Sequence, residues 1–288
     1  MNYSLKPVNH TQWFENMPEI PLIISGPCSA ESREQVLETA EAITRLTPVK
    51  IFRAGIWKPR TRPASFEGVG SIGLEWLEEV KEETGMRIAV EVASPRHIEE
   101  CMKHDVDIFW IGARSTSNPF SVQELASALQ GLDKPVLVKN PINPDLDLWM
   151  GAFERLNKAG ITKLAAVHRG FYPFEKTIFR NIPKWEIPIE LKSHCHDLPI
   201  ICDPSHIGGD TEYIREISQR ALDLNMDGLI IEAHINPLTA LSDANQQLTP
   251  FQLKELISEL KWRLPGVEDS DFNNSLETYR EQIDSLDS

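Results

Sequence analysis

Four cysteines in 288 residues, Cys28, Cys101, Cys195 and Cys202, form no CxxC and are too few and too scattered for a disulfide framework. Each is expected as a reduced thiol, a small buried apolar group or a ligand. No apolar run approaches the ~20 residues that cross a bilayer, and the start Met1-Asn2-Tyr3-Ser4 lacks the basic and apolar blocks of a signal peptide. These absences point to a cytoplasmic protein that is not embedded in a membrane. Basic residues are also in short supply: 29 Lys+Arg face 43 Asp+Glu, a formal net charge of −14. A surface of that sign repels nucleic-acid backbone and anionic membrane, so neither is expected as a partner. Any anionic substrate then requires a locally basic pocket. No GxGxxG follows the first apolar run, which weighs against a dinucleotide-binding open sheet.

Short, β-rich apolar runs are what the chain has in abundance. They lie at 21–28, 51–56, 87–93, 107–113, 135–140, 163–169, 199–205 and 228–234. Their near-continuous apolar character suits strands covered on both faces. Most of the segments between them carry helical spacing, with helices expected over 32–46, 74–84, 95–104, 121–130, 146–159, 211–224 and 250–264. Strand and helix alternate at about 30 residues per unit, as right-handed βα units do. The expected fold is α/β, a (β/α)8 TIM barrel over residues 21–265, preceded by an N-terminal extension over 1–20. Residues 266–288 open on the acidic Gly266-Val267-Glu268-Asp269 and read as a linker followed by a helix fragment with an apolar stripe at Leu276, Tyr279, Ile283 and Leu286.

A barrel of this kind holds its site at the C-terminal ends of its strands, and those ends are polar here. Arg53 lies in the second run and Lys58 in the turn after it, while Arg114, Lys139 and Arg169 each leave another run. Brought to one mouth, such like charges repel unless anions sit among them, so phosphate or carboxylate substrates are the expected counter-ions. Cys28, His206, Glu232 and Asp243 offer thiolate, imidazole and carboxylate ligands suited to a divalent transition metal. Read without further context, a buried thiol and satisfied loop histidines remain equally open.

Gly26-Pro27-Cys28-Ser29, Lys58-Pro59-Arg60-Thr61, Ile111-Gly112-Ala113-Arg114, Asp203-Pro204-Ser205-His206 and Leu241-Ser242-Asp243-Ala244-Asn245-Gln246-Gln247-Leu248 together resemble the type I 3-deoxy-D-arabino-heptulosonate 7-phosphate (DAHP) synthases, in the branch close to the 3-deoxy-D-manno-octulosonate 8-phosphate synthases. The resemblance covers about residues 21–262 in the family's order. It implies condensation of phosphoenolpyruvate with erythrose 4-phosphate, the first step of the shikimate pathway, with a divalent metal (Mn, Co, Fe or Zn) as cofactor. On that pattern Cys28, His206, Glu232 and Asp243 are the metal ligands. Lys58, Arg114, Lys139 and Arg169, with Arg53 nearby, hold phosphoenolpyruvate; Lys58, Pro59, Arg60 and Thr61 hold erythrose 4-phosphate. Lys139 and His206 are the expected proton-transfer groups, and a homo-oligomer is the expected assembly. The Lys-Pro-Arg-Thr loop separates this reading from the octulosonate enzymes, which use arabinose 5-phosphate. A non-catalytic barrel that binds phosphorylated ligands is the other class of reading.

Two departures stand out. The family often carries Lys-Arg-Gly after strand five and Glu-Arg-Gly after strand six, whereas this chain has Lys139-Asn140-Pro141 and His168-Arg169-Gly170; Arg62 replaces a serine after the Lys-Pro-Arg-Thr loop. The tail from Leu276 to Asp287 resembles the opening of the first helix of the all-helical chorismate mutases, with Arg280 at a substrate-binding position. The expectation is a truncated bifunctional protein whose absent mutase domain supports feedback control, with no mutase activity in this chain.

Overall fold

The computed structural model describes residue 5 and residues 22–58 and 66–262. The expected N-terminal extension apart from Leu5, the loop residues Pro59, Arg60, Thr61 and Arg62, and the linker and mutase-like tail lie outside the described residues.

All eight expected strands form: β1 (Leu22–Gly26), β2 (Ile51–Ala54), β3 (Arg87–Val92), β4 (Ile108–Ile111), β5 (Val136–Lys139), β6 (Leu164–His168), β7 (Ile200–Cys202) and β8 (Gly228–Glu232). Every strand pairs in parallel with its sequence neighbours, and β1 pairs with β8 from Leu22↔Gly228 to Gly26↔Glu232, closing the barrel. The strands are shorter than the apolar runs because several runs continue into the loops that turn above the barrel. The helices follow as α1 (Arg33–Leu46), α2 (Ile72–Thr84), α3 (Pro95–Lys103), α4 (Ala113–Thr116), α5 (Pro119–Leu129), α6 (Leu146–Lys158), α7 (Glu186–His194), α8 (Pro204–Gly208), α9 (Ile214–Asp223) and α10 (Pro250–Glu259).

Capping chemistry sets several of the boundaries. Ser32, Ser94, Asn118, Asp145 and Thr249 each accept a backbone N–H in the first turn of the helix they precede, which satisfies a donor the helix itself leaves free. The segment expected as one helix over 211–224 divides into a 3-10 turn at Thr211–Tyr213 and α9. Helix α7 and the short α4 and α8 are additional to the sequence expectation.

Alternation along each strand sorts the side chains. Ile23, Phe52, Val90, Phe109, Val138, Ala166 and Leu229 pack outward against the helices. Leu22, Ile24, Ile51, Ala89, Ile108, Trp110, Leu137, Ala165, Val167, Ile201 and Ile230 form a separate buried cluster inside the barrel. Two residues further along the same inward face come Arg53 after Ile51, Lys139 after Leu137, Asp203 after Ile201 and Glu232 after Ile230. The uppermost layer of the interior is thus charged over an apolar plug. At Gly26 (φ +149°) a Cβ would stand 2.2 Å from the Arg53 carbonyl, so β1 and β2 approach this closely only with glycine there.

The opposite end of the barrel is tied by a repeated device. Asp227, before β8, accepts the Ile200 N–H at 2.7 Å and Lys192 Nζ at 3.0 Å; Asp107, before β4, accepts the Ile88 N–H at 2.8 Å and Lys81 Nζ at 3.0 Å. In each case a backbone donor at or near a strand start relies on a carboxylate. Asp227→Ala is expected to lower stability by about 1–3 kcal/mol through the unsatisfied Ile200 N–H, and Asp227→Asn by less because an acceptor remains. Urea denaturation of the two variants checks the order.

Candidate functional site

The closing pair of strands brings the chain's distant ligand residues together. Cys28 follows β1, Glu232 ends β8, and Asp243 lies in the loop after it; one ligand atom from each falls within 4.8 Å of the others. Asp243 has a left-handed backbone (φ +49°, ψ +39°), a strained conformation that aspartate tolerates better than most residues and that occurs here at the site itself. Cys28 Sγ donates to Asp243 Oδ2 at 3.3 Å and lies 3.2 Å from Lys58 Nζ. Burial, then the Glu232 carboxylate, push the Cys28 thiol up to about 11. Burial opposes ionisation of Glu232 and of Asp243, but His206 and Arg53 beside the first, and Arg180 and His206 beside the second, hold both below the usual carboxylate range.

His206 is the fourth expected ligand, and it stands at the edge of this group. Its Nε2 is 3.9 Å from Glu232 Oε1, and its Nδ1 lies 3.0 Å from Asp203 Oδ1 and 2.9 Å from Oδ2. An ionised Asp203 is an acceptor only, so Nδ1 carries the proton and Nε2 presents a lone pair toward the cluster. Burial, against the pull of Asp203, lowers the His206 pKa and keeps the ring neutral. Glu232 Oε2 accepts from Gln246 Nε2 at 2.7 Å, whereas the buried Oε1 has no hydrogen-bond partner. A thiol, two low-pKa carboxylates and a lone-paired imidazole around a buried oxygen that accepts no hydrogen bond are a donor set that fits a divalent transition metal.

The expected phosphate-binding cations meet this cluster from the other side. Arg53, 1% exposed, lies with its guanidinium 4.8 Å above the Trp110 ring, its Nη1 3.2 Å from Glu232 Oε1 and its Nη2 donating to the Cys28 carbonyl at 3.1 Å. Lys58 Nζ donates to that same carbonyl. Lys139 Nζ pairs with Asp203 Oδ2 at 2.9 Å. Arg169 leaves β6 toward the mouth, and burial, with Arg180 and Arg114 nearby, lowers its pKa to about 10, so it stays charged at neutral pH. Arg114 is exposed on α4, above β4. Anions are expected among these cations, with substrate as the counter-ion; two of the cations have one within the protein, since Arg53 and Lys139 are each paired with a buried carboxylate, Glu232 and Asp203, from the same inward layer.

The departures from the family pattern at His168 and Asn140 are both fully buried. His168 points outward from the barrel, its ring centre 5.9 Å from that of Phe171 and 5.2 Å from that of Trp185; burial pushes its pKa down to about 3. Asn140 works on the backbone. Its Oδ1 accepts the Arg169 N–H at 2.7 Å, and its Nδ2 donates to the Pro141 and Gly170 carbonyls, both at 2.8 Å.

Several site residues escaped the sequence reading. Arg180, in the segment between β6 and α7, pairs with Asp243 at 3.0 Å and donates to Gln246. Gln247 accepts the Cys28 N–H at 2.9 Å and donates to the Ser242 carbonyl at 2.9 Å. Gln246, Gln247 and Asp203 belong to motifs already singled out, so the pattern contained them without revealing their partners. Arg180 sits in no motif.

Residues 18–264 match the model of the DAHP synthetase I family. Over 239 residues the chain is 36% identical to a phospho-2-dehydro-3-deoxyheptonate aldolase of Thermotoga maritima, covering 83% of this chain and 68% of the relative. It is 26% identical over 265 residues to a 2-dehydro-3-deoxyphosphooctonate aldolase of Nitratidesulfovibrio vulgaris, covering 85% of this chain and 93% of the relative. The crystal structure of the Thermotoga maritima DAHP synthase superposes with a TM-score of 0.75 at 35% identity, over 83% of this chain and 67% of that one. A truncated form of that synthase matches with a TM-score of 0.71 at 32% identity, over 83% and 84%. The closed barrel, the ligand cluster at its mouth and these matches agree: the chain belongs to the DAHP synthetase I family.

Proposed function

We infer that the protein condenses phosphoenolpyruvate with erythrose 4-phosphate and water to give DAHP and inorganic phosphate, and that the barrel mouth is where it does so. The observation that carries this reading is the meeting of Cys28, Glu232 and Asp243 within 4.8 Å, flanked by Arg53 and Lys58, in a chain of this family.

Cys28, His206, Glu232 and Asp243 would hold the metal, which when bound supplies Lewis-acid polarisation of the aldehyde oxygen. Arg53, Lys58, Arg114, Lys139 and Arg169 bind phosphoenolpyruvate, and Lys58, Pro59, Arg60 and Thr61 bind erythrose 4-phosphate. In the reaction C3 of phosphoenolpyruvate forms a bond to the aldehyde carbon, whose oxygen takes a proton. Water adds at C2, and the C2–O bond to phosphate breaks as the adduct collapses to a ketone. Holding both substrates in register lowers the barrier by about several kcal/mol. Asp203 accepts from Lys139 Nζ and His206 Nδ1, the two proposed proton-transfer groups, so a proton given to the former aldehyde oxygen by one of them is regained from the water that adds at C2.

The test follows phosphate release from phosphoenolpyruvate with either aldose phosphate, with and without a chelator. Release is expected with erythrose 4-phosphate, lost on chelation and restored by added Mn2+. Release with arabinose 5-phosphate alone overturns the reading in favour of the octulosonate synthase, and release with neither favours a non-catalytic binding barrel.

A further inference from the structure

Among the mouth cations, Arg169 is held differently from Arg53, Lys139 and Arg180, each of which has a carboxylate partner. Among the described residues no carboxylate forms an ion pair with Arg169. Its guanidinium is held instead by a neutral amide: Arg169 Nη1 donates to Asn181 Oδ1 at 2.8 Å, and its other contact is its own neighbour's carbonyl, Gly170 O, at 3.4 Å. Asn181 is 4% exposed, and both atoms of its amide are engaged. Its Nδ2 donates to the His206 carbonyl at 2.7 Å, its N–H donates to the Ile207 carbonyl at 3.1 Å, and the Phe171–Ile182 bridge fixes the residue after it by bonds of 2.8 Å in both directions. Asn181 therefore spans from the arginine to the backbone of α8, which carries His206.

We propose that Asn181 is a positioning residue for phosphoenolpyruvate: it aims the Arg169 guanidinium into the mouth through a neutral oxygen, so that no directly paired carboxylate competes with the substrate's anionic groups. This rests on the reading that Arg169 binds phosphoenolpyruvate. What distinguishes the amide from a carboxylate here is its neutrality. A carboxylate at 2.8 Å would orient the guanidinium equally well but would compete with the substrate for its charge. An alanine would release the guanidinium to several orientations, so that ordering it again reduces affinity.

The test measures phosphoenolpyruvate binding to the Mn2+-loaded full chain by titration calorimetry in the absence of aldose. Asn181→Ala is expected to weaken binding about tenfold, the usual scale for one hydrogen bond to a charged group. Asn181→Asp is expected to weaken it further, about a hundredfold, although it is nearly isosteric. In an Arg169→Ala background, itself weaker in phosphoenolpyruvate binding, both Asn181 substitutions should have little further effect on affinity. A merely structural role predicts that the losses add in the double variants, for Ala and Asp alike. That outcome overturns the proposal. Asn181→Asp also loses the Nδ2 donor to the His206 carbonyl, so the coupling to Arg169 is the readout that decides, and it is obtained from whichever pair of Asn181 variants folds. Should Arg169→Ala alone leave affinity unchanged, the assignment of Arg169 to phosphoenolpyruvate fails, which is a separate result from an inert Asn181 beside a sensitive Arg169.

Discussion

Cys28→Ser is expected to lower phosphate release from phosphoenolpyruvate and erythrose 4-phosphate about a thousandfold, the rate equivalent of the several kcal/mol that a bound Lewis acid contributes. The physical basis is the thiol's environment. Buried beside Glu232 and Asp243, it titrates at about 11, so at neutral pH it carries a proton that an incoming metal must displace. His206 adds no second proton, because burial has already lowered its pKa. Apparent metal affinity of the unaltered protein should therefore rise about tenfold per pH unit between pH 7 and 9. A serine hydroxyl does not ionise in that range, so the same titration on Cys28→Ser should be weak and nearly flat with pH. Competition against a fluorescent chelator at several pH values reads both numbers. Full metal-dependent activity in the variant, or an unchanged pH slope, would refute Cys28 as a ligand.

How much of this was legible beforehand divides along physical lines. The barrel was, because strands buried on both faces leave uninterrupted apolar runs and each run is followed by helical spacing; the errors lie at run ends, where Cys28 and Arg169 belong to loops rather than strands. Helix α7 was not, since Pro188 interrupts its first turns and its apolar stripe is weak. The cluster of Cys28, Glu232 and Asp243 became visible only by adding a family resemblance to the closure of β1 on β8. The support around it was out of reach for a different reason: Arg180 and Asn181 come from an irregular segment, and they arrive at the mouth only because Phe171 pairs with Ile182 and the Arg180 and Asn181 N–H groups bond to Gly208 and Ile207.

The net charge of −14 takes on a more specific meaning in this setting. An acidic total was expected to sit on the exterior, around a cationic mouth. Asp203 and Glu232 are instead fully buried at that mouth, and Asp243 is partly buried there, its side chain 19% exposed. The negative groups there are counter-charges to Arg53, Lys139 and Arg180, and the proposed function makes Glu232 and Asp243 metal ligands as well; Arg169, which forms no ion pair among the described residues, is the cation that the same proposal gives to substrate.

Arg53→Met follows from the same layer and carries the second large effect, this time on stability. Arg53 faces Glu232 Oε1 at 3.2 Å, with both side chains almost wholly excluded from solvent. Removing one member of a buried pair typically costs about 3–5 kcal/mol, because the other charge is left without compensation. Methionine keeps the length and the apolar contact with Trp110 while deleting the charge. In the unaltered protein Glu232 has a depressed pKa, so its contribution to stability is present above its unfolded-state value and is lost as pH falls through the folded one. Without Arg53, burial has one opponent fewer, and the folded-state pKa of Glu232 moves up. The deficit of Arg53→Met should then be large at pH 8 and shrink toward pH 5, where the carboxyl takes up a proton and no longer needs a partner. Added Mn2+ should also narrow it at pH 8 by placing positive charge beside Oε1. Urea denaturation of both proteins at the two pH values, with and without the ion, gives the result. A deficit that stays constant with pH and with Mn2+ would mean that Arg53 acts by packing on Trp110 rather than by holding the Glu232 charge.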